Sequence, residues 1–95
     1  LVWGIIEKAF QKGNHSTYEI DSVIAATHMM LEATALGIQN IWIEMFQEEV
    51  LRKKFSLSEK LIPICLIPLG YEDENCPESP KHLIRKKLEE LVEYV

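Results

Sequence analysis

The chain has few cysteines, no excess of positive charge and no long apolar segment. Cys65 and Cys76 show neither Cys-x-x-Cys spacing nor the pattern of a disulfide framework, so we expect two free thiols. The formal net charge of -5 argues against a general nucleic-acid-binding protein. No apolar run approaches the roughly 18 to 20 residues of a membrane span, and the N-terminus does not resemble a secretory signal. We therefore expect a cytoplasmic protein.

Motifs for catalysis by side chains are also missing. The sequence contains no Gly-x-Ser-x-Gly elbow, Walker loop or Gly-x-Gly-x-x-Gly fingerprint. The three histidines are far apart and give no metal-ligand spacing. His28 and Glu32 lie one helical turn apart, where an acid/base pair is conceivable but plain surface electrostatics is far more common. Any activity would therefore depend on a cofactor.

What is present is the composition of a small globular domain. Hydrophobic residues make up 47% and charged residues 26% of 95 residues, which excludes disordered and fibrous classes. A chain of this length buries a small share of its surface, so we expect marginal stability and a partner chain. The first residue is Leu1 rather than Met, inside an apolar stretch, as expected for a fragment.

The N-terminal half predicts a strand, a turn and a long helix. Leu1–Ile6 is apolar and rich in β-branched residues, which favours a strand. Gln11–His15 is a polar turn, after which Ser16 and Glu19 have capping-box spacing. Apolar positions then recur at helical intervals over Thr17–Leu36, up to a glycine suited to a helix C-terminus. We expect this helix to be central and buried on most sides.

The second half predicts shorter elements. We expect a short strand over Asn40–Ile43, and a surface helix over Gln47–Lys54 that packs through Val50, Leu51 and Phe55. Its Glu48–Arg52 and Glu49–Lys53 pairs have the spacing of helical ion pairs. The remaining predictions are a proline-containing strand over Leu61–Tyr71, a loop over Glu72–Pro80 and a helix over Lys87–Tyr94.

This alternation of strands and helices indicates an α+β or α/β domain.

One cluster of basic residues stands out in an otherwise acidic chain: Lys81, His82, Arg85, Lys86 and Lys87. An arginine fork there could hold a phosphate by charge-assisted hydrogen bonds. The alternative, favoured by composition alone, is a solvated basic face that balances the glutamates following it.

Four segments, in this order, resemble the C-terminal half of the nitroreductase family. They are the helix end Met29–Ile38 (MMLEATALGI), then Ile41–Ile43 with Phe46, then Ile67–Tyr71 (IPLGY), and finally Arg85–Val92 (RKKLEELV). The resemblance spans about Thr17 to Val95. It implies an α+β nitroreductase-like fold with a central buried helix and short strands, of which residues 1–95 form a partial domain without the N-terminal half.

The resemblance also implies a function. Family members bind FMN at the interface of a homodimer and pass hydride from NADH or NADPH to nitroaromatics, quinones or related acceptors in a ping-pong reaction. By alignment, the backbone of Trp42, Ile43, Glu44 and Met45 would face the flavin ring, and Arg85 would bind the FMN phosphate. No catalytic side chain and no metal ligand are implied.

The sequence departs from the family pattern where the backbone approaches the flavin. Gln39 and Met45 replace two family glycines, Leu83 stands where some members have a lysine, and Lys87 replaces a proline. Two functions therefore remain open. The first is an FMN-dependent oxidoreductase of which this chain is a piece. The second is a flavin-free remnant that serves as a small dimerising interaction module.

Overall fold

The computed structural model describes residues 1–95 as a small α+β unit with two α-helices and three two-stranded sheets. The predicted α+β class is therefore confirmed. The elements, in chain order, are β1 (Val2–Gly4), β2 (Gln11–Lys12), β3 (His15–Ser16), α1 (Tyr18–Ala35), β4 (Gln39–Asn40), α2 (Glu48–Phe55), β5 (Ile62–Cys65) and β6 (Leu69–Gly70). Short 3-10 turns lie at Ile6–Lys8, Pro80–Leu83 and Leu88–Glu90.

The polar turn before α1 is the loop of a hairpin. Strands β2 and β3 pair antiparallel around Gly13, whose φ of 61° is one that glycine adopts readily. Ser16 pairs with Gln11 in this hairpin, so the helix begins later, with Thr17 at its N-cap. The predicted Ser16–Glu19 capping box is wrong: Glu19 accepts a 2.8 Å hydrogen bond from the Tyr18 hydroxyl instead.

The C-terminal end of α1 follows the prediction from sequence. Gly37 has a φ of 75°, its N–H donates to the Thr34 carbonyl, and the N–H of Ile38 donates to the Ala33 carbonyl over 2.8 Å. This pair of bonds is a Schellman motif, which needs a left-handed residue directly after the helix. The chain thereby turns from α1 into β4.

The apolar segment predicted as one strand over Leu61–Tyr71 is divided in two. Strand β5 pairs antiparallel with β1, matching Cys65 to Val2 and Ile62 to Gly4. Strand β6 pairs antiparallel with β4 instead. Pro68 lies between the two strands and has no N–H to continue a ladder, so the chain changes partners there.

Helix α2 is the predicted surface helix, shifted by one residue. Arg52 and Glu48 form the expected ion pair with an N–O distance of 2.6 Å, whereas the predicted Glu49–Lys53 pair does not form. Only Leu51 is buried, at 8% exposure, while Val50 and Phe55 remain exposed. The helix therefore packs through only one of the three apolar residues that were predicted to be buried.

The core is small and lies where α1 crosses β1 and β5. Seven residues are buried: Gly4, Ser22, Ala26, Ala33, Leu51, Pro63 and Cys65. The helix occupies the centre of the unit, because it contacts β1, β4 and β5. Its expected burial on most sides is not found within this chain, since the small strands cover only one face. Apolar side chains on its other faces stay exposed, including Ile20, Ile24, Met29 and Leu31.

The last part of the chain differs most from the prediction. A helix over Lys87–Tyr94 was expected, but only the 3-10 turn Leu88–Glu90 forms, and every residue from 68 to 95 is exposed. An apolar helical stripe is stabilised mainly by the surface it packs on, and this chain offers it none. The radius of gyration of 16.7 Å exceeds the roughly 12 Å of a compact chain of this length.

Candidate functional site

Residues 42–46 link β4 to α2, and their main chain is hydrogen-bonded to the rest of the chain at Ile43 only. The N–H of Ile43 donates to the Leu66 carbonyl over 2.9 Å, and the N–H of Leu66 donates back over 2.8 Å. The main-chain N–H groups of Trp42, Glu44 and Met45 donate to no protein acceptor. Three unpaired donors therefore flank one anchored residue, and they are free to bind an acceptor on a ligand.

The side chains of this segment border an open groove of about 510 Å³. Helix α1 forms one wall, residues 42–46 form another, and β5 forms the third. The lining residues are Glu19, Val23, Trp42, Glu44, Phe46, Ile62, Pro63 and Ile64. Trp42 and Phe46 are half-buried, so part of each ring faces solvent within the groove. Of the predicted cofactor-binding residues, the structure thus brings Trp42 and Glu44 to one cavity.

Met45 lies outside this groove. Its side chain is 94% exposed and packs against little of the chain. The resemblance placed a glycine here, where the backbone of relatives comes close to the flavin. The Met45 N–H donates to no protein acceptor, so the substitution does not by itself occupy the donor.

Arg85 is distant in the chain from these residues and does not line the groove. Its Nη1 donates over 2.8 Å to the Ile84 carbonyl, and it forms no ion pair. Lys81, Lys86 and Lys87 also form no ion pair, and their side chains are exposed. His82 borders a second cavity of about 300 Å³ beside β4 and β6.

His28 and Glu32 do not pair with each other. The ring Nδ1 of His28 hydrogen-bonds instead to the Ile24 carbonyl over 2.8 Å, within the same helix. No group of three or more His, Cys, Asp and Glu side chains converges as metal ligands would. None of the helices combines the length and apolar character needed to span a lipid bilayer.

Two groups near the groove have shifted pKa values. Burial raises the pKa of the Cys65 thiol, and the charge of Glu44 adds to the shift. The hydrogen bond from the Tyr18 hydroxyl to Glu19 raises the pKa of that phenol, with smaller contributions from burial and from the charges of Glu19 and Glu48. Both shifts favour the neutral form, so neither group is prepared to act as a nucleophile or base.

Comparison with known proteins identifies the family. The model of the nitroreductase family matches residues 5–71, which include the groove and the unpaired main-chain donors. The chain belongs to the nitroreductase family. Arg85 lies outside the matched residues, whereas Trp42, Ile43, Glu44 and Met45 lie within them.

Solved nitroreductase structures share the fold of the chain. A nitroreductase family protein of Clostridium difficile 630 superposes with a TM-score of 0.85 at 37% identity, covering 99% of this chain and 56% of that protein. A protein of Bacteroides thetaiotaomicron VPI-5482, named NADH dehydrogenase/NAD(P)H nitroreductase, gives 0.72 at 27% identity, covering 97% and 51%. The chain thus spans about half the length of these nitroreductases.

A sequence relative agrees with the structural ones. A Methanothermobacter thermautotrophicus protein, also named NADH dehydrogenase/NAD(P)H nitroreductase, is 37% identical over 59 residues. That match covers 58% of this chain and 31% of the relative. The names of these relatives agree with the family match.

The sequence alone did not identify all residues of the nitroreductase groove. Glu19 was interpreted as a helix cap, and β5 as a buried strand, yet both line the cavity beside Trp42. The helical spacing of Glu19 and Val23, one turn apart, would have placed them on one face of α1. No local signal would have shown that this face meets residues 42–46.

Proposed function

We propose that the protein containing this chain is an FMN-dependent NAD(P)H oxidoreductase that reduces nitroaromatics, quinones or related acceptors. The chain would supply the C-terminal half of the domain, and the protein would act as a cytoplasmic homodimer with FMN at its interface. The observation that carries the proposal is the set of unpaired N–H groups at Trp42, Glu44 and Met45, which lies inside the residues matched to the family.

The donor set fits the needs of a flavin ring. Bound FMN would supply hydride transfer, a reaction for which this chain presents no side-chain nucleophile or base. N–H donors directed at the polar edge of the ring would stabilise the negative charge that builds up on reduction. Ile43 would position the neighbouring donors. Its two main-chain hydrogen bonds to Leu66 anchor the segment next to β5, while the N–H groups of Trp42, Glu44 and Met45 stay unpaired.

Arg85 is the residue we assign to the FMN phosphate. Its guanidinium has no carboxylate partner within the chain, and the neighbouring Lys86 and Lys87 add positive charge. An arginine fork matches the geometry of a phosphate better than a lysine does. Because Arg85 and residues 42–45 line no common cavity in this chain, we propose that they serve one FMN only within the assembled homodimer.

The phosphate assignment is tested by Arg85→Ala in the full-length protein. Loss of a charge-assisted contact of roughly 1.5 to 3 kcal/mol should weaken FMN binding by about tenfold to a hundredfold. Riboflavin, which lacks the phosphate, should bind both forms almost equally. Affinities are measured by quenching of flavin fluorescence.

Lys86→Ala and Lys87→Ala are the matched controls. A solvated basic face would give small and similar losses for all three substitutions, each reduced further by salt. Equal FMN affinity of Arg85→Ala and the parent would refute the phosphate assignment. A full-length protein that stays colourless after FMN addition would refute the flavoprotein proposal and favour the flavin-free interaction module.

A further inference from the structure

The groove between α1, residues 42–46 and β5 carries negative charge without compensation. Glu19 and Glu44 line it, and no Lys, Arg or His side chain does. Neither carboxylate takes part in an ion pair. Glu19 accepts a hydrogen bond only from the neutral Tyr18 hydroxyl. A molecule in the groove therefore meets two unpaired carboxylates.

The same groove offers aromatic and aliphatic surface. Trp42 and Phe46 line the groove together with Glu44, so two rings and a carboxylate border the same cavity. Ile62, Pro63 and Ile64 of β5 add an apolar surface. A cation placed against an aromatic face is attracted by the ring quadrupole, most strongly by tryptophan. The volume of about 510 Å³ lies in the range of sites for small organic molecules.

We propose that this groove binds small aromatic cations. Apolar contact and the two rings would hold an aromatic body, and the carboxylates would select positive over negative charge. As a consequence that rests on the proposed function, such cations would be preferred electron acceptors, because the groove borders the free N–H groups of residues 42–45. Anionic aromatic compounds would be repelled by Glu19 and Glu44.

Three probes of nearly equal shape separate charge from size: N-methyl-4-nitropyridinium is a cation, 4-nitrotoluene is neutral, and 4-nitrobenzoate is an anion. Binding to the full-length protein, kept as purified and without a reductant, is measured by isothermal titration calorimetry. At low salt we expect the cation to bind about tenfold more tightly than the neutral compound, and the anion to bind most weakly. Raising salt from about 0.02 M to about 0.5 M should remove most of the difference.

Substitutions test whether Glu19 and Glu44 cause the preference for the cation. Glu19→Gln and Glu44→Gln should each weaken binding of the cation by about threefold and leave 4-nitrotoluene unchanged, since each removes one partly solvated charge. Glu32→Gln is the matched control, because Glu32 is an exposed glutamate of the same helix that lines no cavity. Circular dichroism confirms that each variant is folded.

Equal affinity for the three probes, or losses no larger than that of Glu32→Gln, would overturn the proposal. So would the absence of binding by all three, which is the result expected if another polypeptide segment fills the groove. Turnover separates this inference from the proposed function. Charge-selective binding without FMN-dependent reduction would support the groove proposal and contradict the proposed function. FMN-dependent reduction without charge-selective binding would support the proposed function and contradict the groove proposal.

Discussion

Residues 1–67 and residues 68–95 differ in burial and in the amount of regular secondary structure. The first region contains both α-helices, all seven buried residues and the complete β1–β5 ladder. In the second region every residue is exposed, and its only regular elements are β6 and two 3-10 turns. Both regions nevertheless carry apolar side chains at regular intervals, including Leu88, Leu91 and Val92 in the second.

The difference shows that an apolar pattern does not specify structure without a surface to pack on. In α1 the pattern meets β1 and β5, and the helix extends over 18 residues. At Leu88–Glu90 an equally regular pattern gives a single 3-10 turn. Most helical stability in proteins comes from packing of the apolar face rather than from helix propensity. We therefore expect the second region to gain structure wherever a surface packs on its apolar side chains.

Among the tests of this comparison, the reactivity of the two cysteines has the largest expected effect. Cys65 lies in β5 at 0% exposure with a raised thiol pKa, and Cys76 is exposed in the second region. A buried thiol reacts only through an opening of the structure, and an opening that costs about 3 kcal/mol slows the reaction about a hundredfold. Labelling with iodoacetamide, followed by peptide mass spectrometry, should modify Cys76 first by that margin.

Denaturant provides the control for the labelling rates. In concentrated urea both thiols should react at similar rates, because burial no longer distinguishes them. If Cys65 and Cys76 reacted alike without denaturant, residues 1–67 would be as open as residues 68–95. The comparison between the two regions would then fail.

Alanine substitutions at two glycines test the same comparison through the free energy of unfolding. A Cβ on Gly4 would lie 2.7 Å from Cδ2 of Tyr18 and 3.1 Å from the Tyr18 carbonyl oxygen, so the β1–α1 contact must shift. Gly4→Ala should therefore lower the free energy of unfolding by about 1 to 3 kcal/mol, the usual cost of overpacking. Urea unfolding, followed by tryptophan fluorescence, measures the loss.

Gly70→Ala is the matched control from the exposed region. A Cβ at Gly70 meets nothing within 4 Å, and its backbone is not left-handed. Its effect should be neutral or slightly stabilising, because alanine reduces the freedom of the unfolded chain. A loss at Gly70 equal to that at Gly4 would show that residues 68–95 are packed as tightly as β1.

Sequence patterns predicted the elements whose cause is local. The bounds of α1 were right to within one residue at each end, because Gly37 readily adopts the left-handed conformation that ends a helix and the apolar spacing is long and regular. The Glu48–Arg52 pair was right for the same reason, since its geometry is set within one helix. The N-cap was wrong because pairing of Ser16 in the β2–β3 hairpin, a contact outside the helix, decided where the helix begins.

Elements that depend on distant partners were harder to predict. Pro68 accounts for the point at which Leu61–Tyr71 divides, but the pairing of β5 with β1 and of β6 with β4 is not encoded in the segment itself. The candidate site shows the same limit. The resemblance to the family predicted Trp42, Ile43, Glu44 and Met45 as site residues, but the wall contributed by Glu19 and β5 emerged only from the fold. The role of Arg85 stays a prediction, because Arg85 lies outside the residues matched to the family and lines no cavity with residues 42–45.

The smallest expected effect concerns pH. The pKa of Tyr18 is raised above the ordinary 10.0, mainly because its hydroxyl donates to Glu19. The folded state thus favours the neutral phenol. Its contribution to stability is fully present below about pH 10 and is lost as the pH rises through the folded pKa. Since the group is partly exposed, we expect a loss of only a few tenths of a kcal/mol.

Tyr18→Phe should remove this loss, so that the free energy of unfolding falls less steeply between about pH 9 and pH 11 than in the parent. Tyr94→Phe is the control from the exposed region, because the Tyr94 hydroxyl has no hydrogen-bond partner and should leave the slope unchanged. Urea unfolding at closely spaced pH values gives both slopes. Equal slopes for the parent and Tyr18→Phe would show that the Tyr18–Glu19 hydrogen bond contributes nothing to the fold. A changed slope in Tyr94→Phe would instead place a structured contact within residues 68–95.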